Sequence, residues 1–343
     1  MIASEEETCT LGLARPQHSS RRSTCSSAKL MEISLRTRNI LITGSQGFVG
    51  RHLVSRLSHD GYGMRLAQRT LDSSNPSSIY VGEINAKTDW RRALEGCDTV
   101  IHLAGQASAG TAGLCENVNN LGTFSLVRQS ADSEIKTFIF VSSVMAVVDN
   151  HSLVPLSDET ASSATSDYGT SKLRAERHVE EFGRSHGVGI VLRPPAIYGP
   201  GAKGNWRVLH QLARSALPLP FASISNKRTF ISVDNFVDAV ASVINAAAPA
   251  VSGTHVVSDA DAISLPDIIR LLREGMRLPP RLFAVPQSLL KLPFVLTGRS
   301  TEMTSLFGDL VVDCSSFRQR YGWSPPKDVA QAIIEYGRSP RVR

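Results

Sequence analysis

Asn39-Ile-Leu-Ile-Thr-Gly-Ser-Gln-Gly-Phe-Val-Gly50 is the stretch whose reading decides the fold. Asn39 to Thr43 is a short apolar run, read as a strand. Gly44, Gly47 and Gly50 then recur at every third position through a turn. Phe48, Val49, Leu53 and Leu57 follow with helical spacing, so the order is strand, glycine turn, helix. Glycines at such a turn let backbone N–H groups approach a pyrophosphate at the helix N-terminus. Gln46, Phe48 and Val49 lie inside the same turn and are expected to touch that ligand. A glycine-rich surface turn without a ligand has the same spacing, so the context carries the reading rather than the glycines.

Outward from this unit, strand-like runs recur at Arg65-Leu-Ala67, Ile79-Tyr-Val81, Thr99-Val-Ile-His-Leu103, Thr137-Phe-Ile-Phe-Val141 and Ile190-Val-Leu192. The stretches between them are long enough for helices. This alternation predicts an α/β protein, a Rossmann-type doubly wound parallel sheet with a smaller C-terminal substrate-binding lid. After Pro194 the character changes, with helical patterns at Arg207 to Ala216 and Pro266 to Met276 and no regular strands between them. The expected division is a disordered tail over 1–36, a dinucleotide-binding domain over 37–200 and a mainly substrate-binding part over 201–343. Two apolar runs near 229–232 and 254–257 are candidates to return to the core.

Composition bounds the function classes. The 343 residues are 42% apolar and 20% charged, an ordinary globular balance. A net charge of +6 points to an anionic partner. The basic residues form no run with interleaved aromatics, which argues against nucleic acid and for small anions. Five cysteines, none spaced as C-x-x-C, fit neither a disulfide framework nor a zinc knuckle, so a reducing, cytoplasmic setting is expected. No membrane span is expected, because the richest apolar segment, Leu282 to Leu296, is broken by Pro286, Lys291 and Pro293. The tail lacks the apolar stretch of a signal peptide, and Glu5, Glu6 and Glu7 carry the wrong charge for a transit peptide. Nine histidines show no H-E-x-x-H spacing, so no metal is expected and His102 reads as a packed core histidine.

Tyr168-x-x-x-Lys172 opens the helical stretch to Phe182, and its i,i+4 spacing puts phenol and ammonium on one face. An ammonium about 4 Å from a phenolate is worth up to about 4 kcal/mol at an effective dielectric of 20. That would bring Tyr168 toward working pH as an acid or base. Ser142 and Ser143 end the preceding strand at the carboxyl edge, where open α/β sheets bind ligands. Ser143 is there either to donate to a carbonyl oxygen or to cap the strand end.

These motifs, with Ile101-His-Leu-Ala104 and Leu192-Arg-Pro194, resemble in order those of the extended short-chain dehydrogenase/reductase family. Tyr198-Gly-Pro200, Gly204-Asn205, Arg228-Thr-Phe-Ile-Ser-Val-Asp234 and Tyr321-Gly-Trp323 are similar to its nucleotide-sugar epimerases, dehydratases and 4-keto reductases. The likeness spans about Arg38 to Pro326. It implies Tyr168 as acid/base, Lys172 as holder of the nicotinamide ribose, Ser143 on the substrate oxygen and Asn119 in support. It implies further that Leu103, Ala104, Glu83 and Ile84 line the cofactor site, with Glu83 standing where the family usually has Asp. Asn205 and Arg228 match positions that bind the substrate's nucleotide diphosphate, with a surface charge before a strand as the lesser alternative for Arg228. Family members commonly pair through two helices, which implies a homodimer through Asn117 to Ser130 and Tyr168 to Phe182.

The second strand ends Ala67-Gln-Arg-Thr70, with no acid for a free ribose 2′-hydroxyl and with Arg69 placed for a 2′-phosphate. NADP(H) is therefore preferred, with NAD(H) as the alternative. Since net reduction consumes a reduced cofactor, this tilts the expectation toward a 4-keto reductase acting on a UDP-N-acetylhexosamine or a 6-deoxy-4-keto sugar. A UDP-hexose 4-epimerase holding NAD tightly is the alternative, and Ala146-Val-Val148 departs from the Val-Tyr-Gly common there. A non-catalytic NADP-binding regulator would normally lack the Tyr–Lys pair.

Overall fold

In the computed structural model, residues 38–340 are described, apart from 71, 108–112, 216, 247–250 and 299. The expected tail lies outside these. Ile40, Leu41 and Ile42 are fully buried in β1 (Asn39–Thr43), the third strand across a seven-stranded parallel sheet. The sheet also contains β2 (Gly63–Gln68), β3 (Ser78–Tyr80), β4 (Thr99–His102), β5 (Thr137–Val141), β6 (Val188–Arg193) and β9 (Gly253–Val256). Its order is β3-β2-β1-β4-β5-β6-β9. The chain leaves β1 in one direction for β2 and returns to its other side at β4. That reversal opens a crevice at the carboxyl ends of β1 and β4, the usual ligand position in such sheets.

Helices cover both faces. α1 (Phe48–His59) and α6 (Val233–Ile244) pack on one, burying Leu53, Leu57, Phe236 and Val240 against Ile40 and Ile42. On the other, α2 (Arg91–Leu94), α3 (Gly122–Ala131) and α4 (Asp167–Ser185) bury Leu94, Leu126, Val179 and Phe182 against Leu41, Val100 and Phe138. Strands apolar on both sides are what a sheet covered on both faces requires. α4 begins where Ser166 Oγ accepts from the Gly169 N–H at 3.2 Å, and α6 where Ser232 Oγ accepts from the Asn235 N–H at 3.1 Å.

Beyond β6 the chain interleaves with the sheet. β7 (Ile197–Tyr198) pairs in parallel with β8 (Ile231–Ser232), and β9 pairs with β6. α5 (Asn205–Arg214), α7 (Leu265–Gly275) and α11 (Val329–Arg338) share a separate cluster of Trp206, Leu272, Ile333 and Tyr336. α8 (Gln287–Leu296) and α9 (Ser300–Phe307) follow, then α10 (Ser315–Tyr321). Phe317 of α10 packs into the cluster of Ile40 and Leu53. Arg273 is buried and donates to five backbone carbonyls, those of Ala213, Ser215, Leu217, Pro280 and Arg281, tying α7 to the segments on either side.

Candidate active site

The glycine turn is shaped by close backbone approach. Gly44 has φ +70°, and a β carbon there would lie 2.8 Å from the Ala104 nitrogen at the end of β4. At Gly50 a β carbon would come within 2.1 Å of the Gly44 carbonyl oxygen, so only glycine lets α1 start this close to β1. Among the described residues no side chain caps α1 at Gly47, and the buried Ser45 Oγ has no hydrogen-bond partner. Uncapped N–H groups, an orphaned hydroxyl and a cradle that any β carbon would fill together fit the pyrophosphate of a dinucleotide. Leu103 and Ala104 form the facing wall, their N–H groups donating to the carbonyl and hydroxyl oxygens of Thr43. Phe48, Val49 and Leu103 also pack against the core, and the Gln46 carbonyl accepts from Arg51 at 2.8 Å.

Arg69 lies just beyond β2, exposed, 3.5 Å from the equally exposed Glu83. Its neighbour Gln68 is buried and accepts from Ser78 at 2.8 Å. Ile84 sits beside Gly122, where a β carbon would meet its Cγ2 at 2.5 Å. Glu83 and Arg69 are thus already partners, a coupling that reading them separately does not reveal.

Four further side chains converge above β4 and β5. Asn119 is buried in a single π-turn, Glu116–Leu121, a distortion often found at functional sites. Its Oδ1 accepts from the Gln106 N–H at 2.8 Å, and its Nδ2 donates to the Gln106 carbonyl at 2.9 Å and to Ser171 Oγ at 3.0 Å. A β carbon at Gly105 would lie 3.1 Å from both Asn119 Oδ1 and Lys172 Nζ. His102 links this turn to β1: it meets Thr43 Oγ1 at 2.6 Å and Thr123 Oγ1 at 2.9 Å, and Thr123 donates to the Asn119 carbonyl. Burial pushes His102 down to about 3, so it is a neutral core histidine.

Lys172 Nζ donates to the Val141 carbonyl at 2.9 Å and lies 4.6 Å from the Phe140 ring centre. Burial lowers it to about 8, with Glu176 pulling the other way. The expectation that Lys172 draws the Tyr168 phenol toward working pH is corrected here. Burial instead raises Tyr168 above its ordinary value, and the hydrogen bond from Ser143 only partly offsets this. Of the two places anticipated for Ser143 the structure shows the cap: its Oγ accepts from the Met145 N–H at 3.1 Å at the start of the turn Val144–Ala146.

Sequence reading missed the support beneath. Glu176 is buried and forms a two-pronged ion pair with Arg193, at 3.0 Å from Nε and 2.6 Å from Nη2, while the Ser142 hydroxyl donates to it. The signal was present: Tyr168, Lys172 and Glu176 stand at i, i+4 and i+8 on α4. Asn205 is the exposed first residue of α5. Arg228 donates to the carbonyls of Asn150 at 3.1 Å and Gly308 at 2.9 Å, and burial pushes it down to about 10. No carboxylate forms an ion pair with it among the described residues. Among the same residues there is no group of three or more His, Cys, Asp or Glu able to hold a metal, and no helix is long and apolar enough to cross a membrane.

A seven-stranded parallel sheet with a glycine turn entering its first helix defines a Rossmann-type α/β protein. Residues 40–257 match the model of the NAD dependent epimerase/dehydratase family, and the chain belongs to that family. It is 34% identical over 317 residues to a UDP-glucose 4-epimerase of Vibrio cholerae, covering 87% of this chain and 96% of that protein. It is 30% identical over 221 residues to a GDP-6-deoxy-D-mannose reductase of Pseudomonas aeruginosa, covering 59% of this chain and 69% of that one. The fold is similar to that of a UDP-N-acetylglucosamine 4-epimerase from Bacillus cereus, with a TM-score of 0.70 and 20% identity over 88% of this chain and 98% of that one. As a member of this family, the chain is a nicotinamide-cofactor enzyme.

Proposed function

We propose that the protein is an NADPH-dependent 4-keto reductase acting at C4 of a nucleotide-linked sugar, a UDP-N-acetylhexosamine or a 6-deoxy-4-keto sugar. The observation that carries this reading is Arg69: Gln68-Arg69-Thr70 at the carboxyl end of β2 supplies an exposed guanidinium and no acid of its own, and the exposed Glu83 3.5 Å away is a weak partner that a ribose 2′-phosphate can displace. When bound, the nicotinamide supplies hydride to the sugar carbon. Tyr168 delivers a proton to the oxygen at that carbon, and Ser143, already hydrogen-bonded to the phenol, donates to the same oxygen. Lys172 would hold the ribose, and the buried Asn119, which approaches it over Gly105, supports the turn beside it through Gln106 and Ser171. Arg228, which has no ion-pair partner among the described residues, keeps its charge for the diphosphate, with Asn205 at the start of α5 on the same ligand. Residues 201–343 supply most of this substrate side.

A second reading, a 4-epimerase holding NAD, is favoured by the relative from Vibrio cholerae, matched over nearly its whole length. To separate the two, purified protein is denatured and the released nucleotide identified, and fresh protein is mixed with NADPH and a UDP-4-keto-6-deoxy sugar. NADPH oxidation by a nucleotide-free preparation supports the reductase. Stoichiometric NAD⁺ release with no NADPH oxidation would overturn it in favour of the epimerase. We also assign a homodimer to the α3–α4 face, where Phe124 is exposed and packs on His178 with 5.0 Å between ring centres.

A further inference from the structure

α8 is inverted relative to an ordinary surface helix. No residue in it is buried, and the side chains it turns outward are Leu289, Leu292, Val295 and Leu296, the last 76% exposed. Leu289, Leu292 and Leu296 stand at i, i+3 and i+7, so they form one stripe. The opposite side holds the helix in place: Leu290 joins the cluster of Leu219 and Ile269, Phe294 meets Phe307 edge-on, and Gln287 donates to the Ser223 carbonyl at 2.9 Å. Phe283, 47% exposed, extends the apolar surface along the approach to the helix. Single exposed leucines are common on proteins, but a contiguous stripe of them marks a contact surface.

Charge identifies the contact. Over residues 271–298 the charged side chains that are not buried are three basic ones, Arg277, Arg281 and Lys291, and one acidic one, Glu274. Arg277 and Arg281 are exposed before the helix, and Lys291 lies on its flank, 5.3 Å from the Phe307 ring centre. A leucine stripe with a lysine on its flank and an excess of basic side chains in the segment leading to it suits a negatively charged, apolar-cored surface better than a second copy of itself. At ten residues, α8 is too short to span a bilayer and long enough to lie in its interface.

We propose that α8 and its basic flank dock the protein on the surface of an anionic lipid membrane. The docked segment is continuous with the substrate side, since Ser305 of α9 donates to Asn150 and Arg228 holds the carbonyl of Gly308, which follows α9. Docking therefore brings the Arg228 end of the site to the membrane.

The test uses the full chain in flotation with vesicles of phosphatidylcholine alone or mixed with about one third phosphatidylglycerol. The protein is expected to float with the anionic vesicles and to be released by high salt. The double variant Leu292→Asp/Leu296→Asp is expected to bind them roughly tenfold or more weakly, and Lys291→Glu severalfold more weakly. These side chains are outside the catalytic and binding machinery, so an unchanged melting temperature checks that both variants fold. Absence of flotation overturns the proposal, as does equal binding by the variants or to phosphatidylcholine alone. Self-association in analytical ultracentrifugation that the double variant abolishes would assign the stripe to a second copy. Flotation seen only after removal of residues 1–37 would assign it to the tail. Either result overturns membrane docking by the native chain.

Discussion

At the scale of single residues, the site depends on groups whose charge burial has shifted. Tyr168 sits above its ordinary value and Lys172 is lowered to about 8, so the phenol holds its proton at neutral pH. That is the form a reductase needs in a proton donor. Tyr168→Phe is expected to lower turnover roughly 10²- to 10⁴-fold while cofactor affinity stays nearly constant. Steady-state rates and a fluorescence titration of the cofactor measure the two quantities, and retained turnover would remove Tyr168 from the reaction. Arg69→Ala tests the other end of the cofactor. NADPH affinity is expected to fall about tenfold or more, the strength of a charge-assisted contact, with NADH affinity little changed. Equal losses for both would refute the 2′-phosphate contact. Arg69 already has Glu83 at 3.5 Å, but with both side chains exposed this pair is easily exchanged for a ligand.

At the scale of elements, α4 brings the sheet and the chemistry together. Tyr168 and Lys172 use its first turns, and one turn later Glu176 points into the protein, to Arg193 at the end of β6 and Ser142 after β5. This pair is buried on both sides, so removing one partner leaves an uncompensated charge. Glu176→Gln is expected to cost about 3–5 kcal/mol in urea denaturation. Replacing both partners, as Glu176→Leu with Arg193→Met, is expected to recover most of that loss. If the single variant is as stable as the native chain, the pair is not what locks α4 to β5 and β6.

At the scale of the whole molecule, Asp259 ties the smaller sheet to the larger one. It accepts from Tyr198 Oη of β7 at 3.0 Å, from the Ser232 N–H of β8 at 3.1 Å and from Asn235 Nδ2 of α6 at 2.7 Å. Burial outweighs these bonds and raises the carboxyl to about 6 from an ordinary 3.8. A raised acid binds its proton more tightly folded than unfolded. Its contribution to stability is therefore fully present below about pH 4 and is lost as pH rises through about 6. Against Asp259→Asn, which cannot ionise, the native chain is expected to lose on the order of 3 kcal/mol between these limits. Chemical denaturation of both proteins across that range measures it, and a constant gap would show that Asp259 titrates normally.

What the sequence by itself determined is everything that rests on local pattern. Asn39 to Gly50 specifies strand, glycine turn and helix because residue period and the absence of a β carbon act over a few residues. The i,i+4 spacing of Tyr168 and Lys172 likewise puts them on one helix face. Only the tertiary structure decided which long-range partners these groups meet. It set Lys172 against the Val141 carbonyl, Glu83 beside Arg69, and Glu176 against Arg193. It also reversed the expected direction of the Tyr168 shift, because desolvation depends on the volume that surrounds a group, and no spacing along the chain encodes that volume. The outward leucines of α8 follow the same division: their periodicity is local, but which side faces the protein was settled by where Leu290 and Phe294 found contacts.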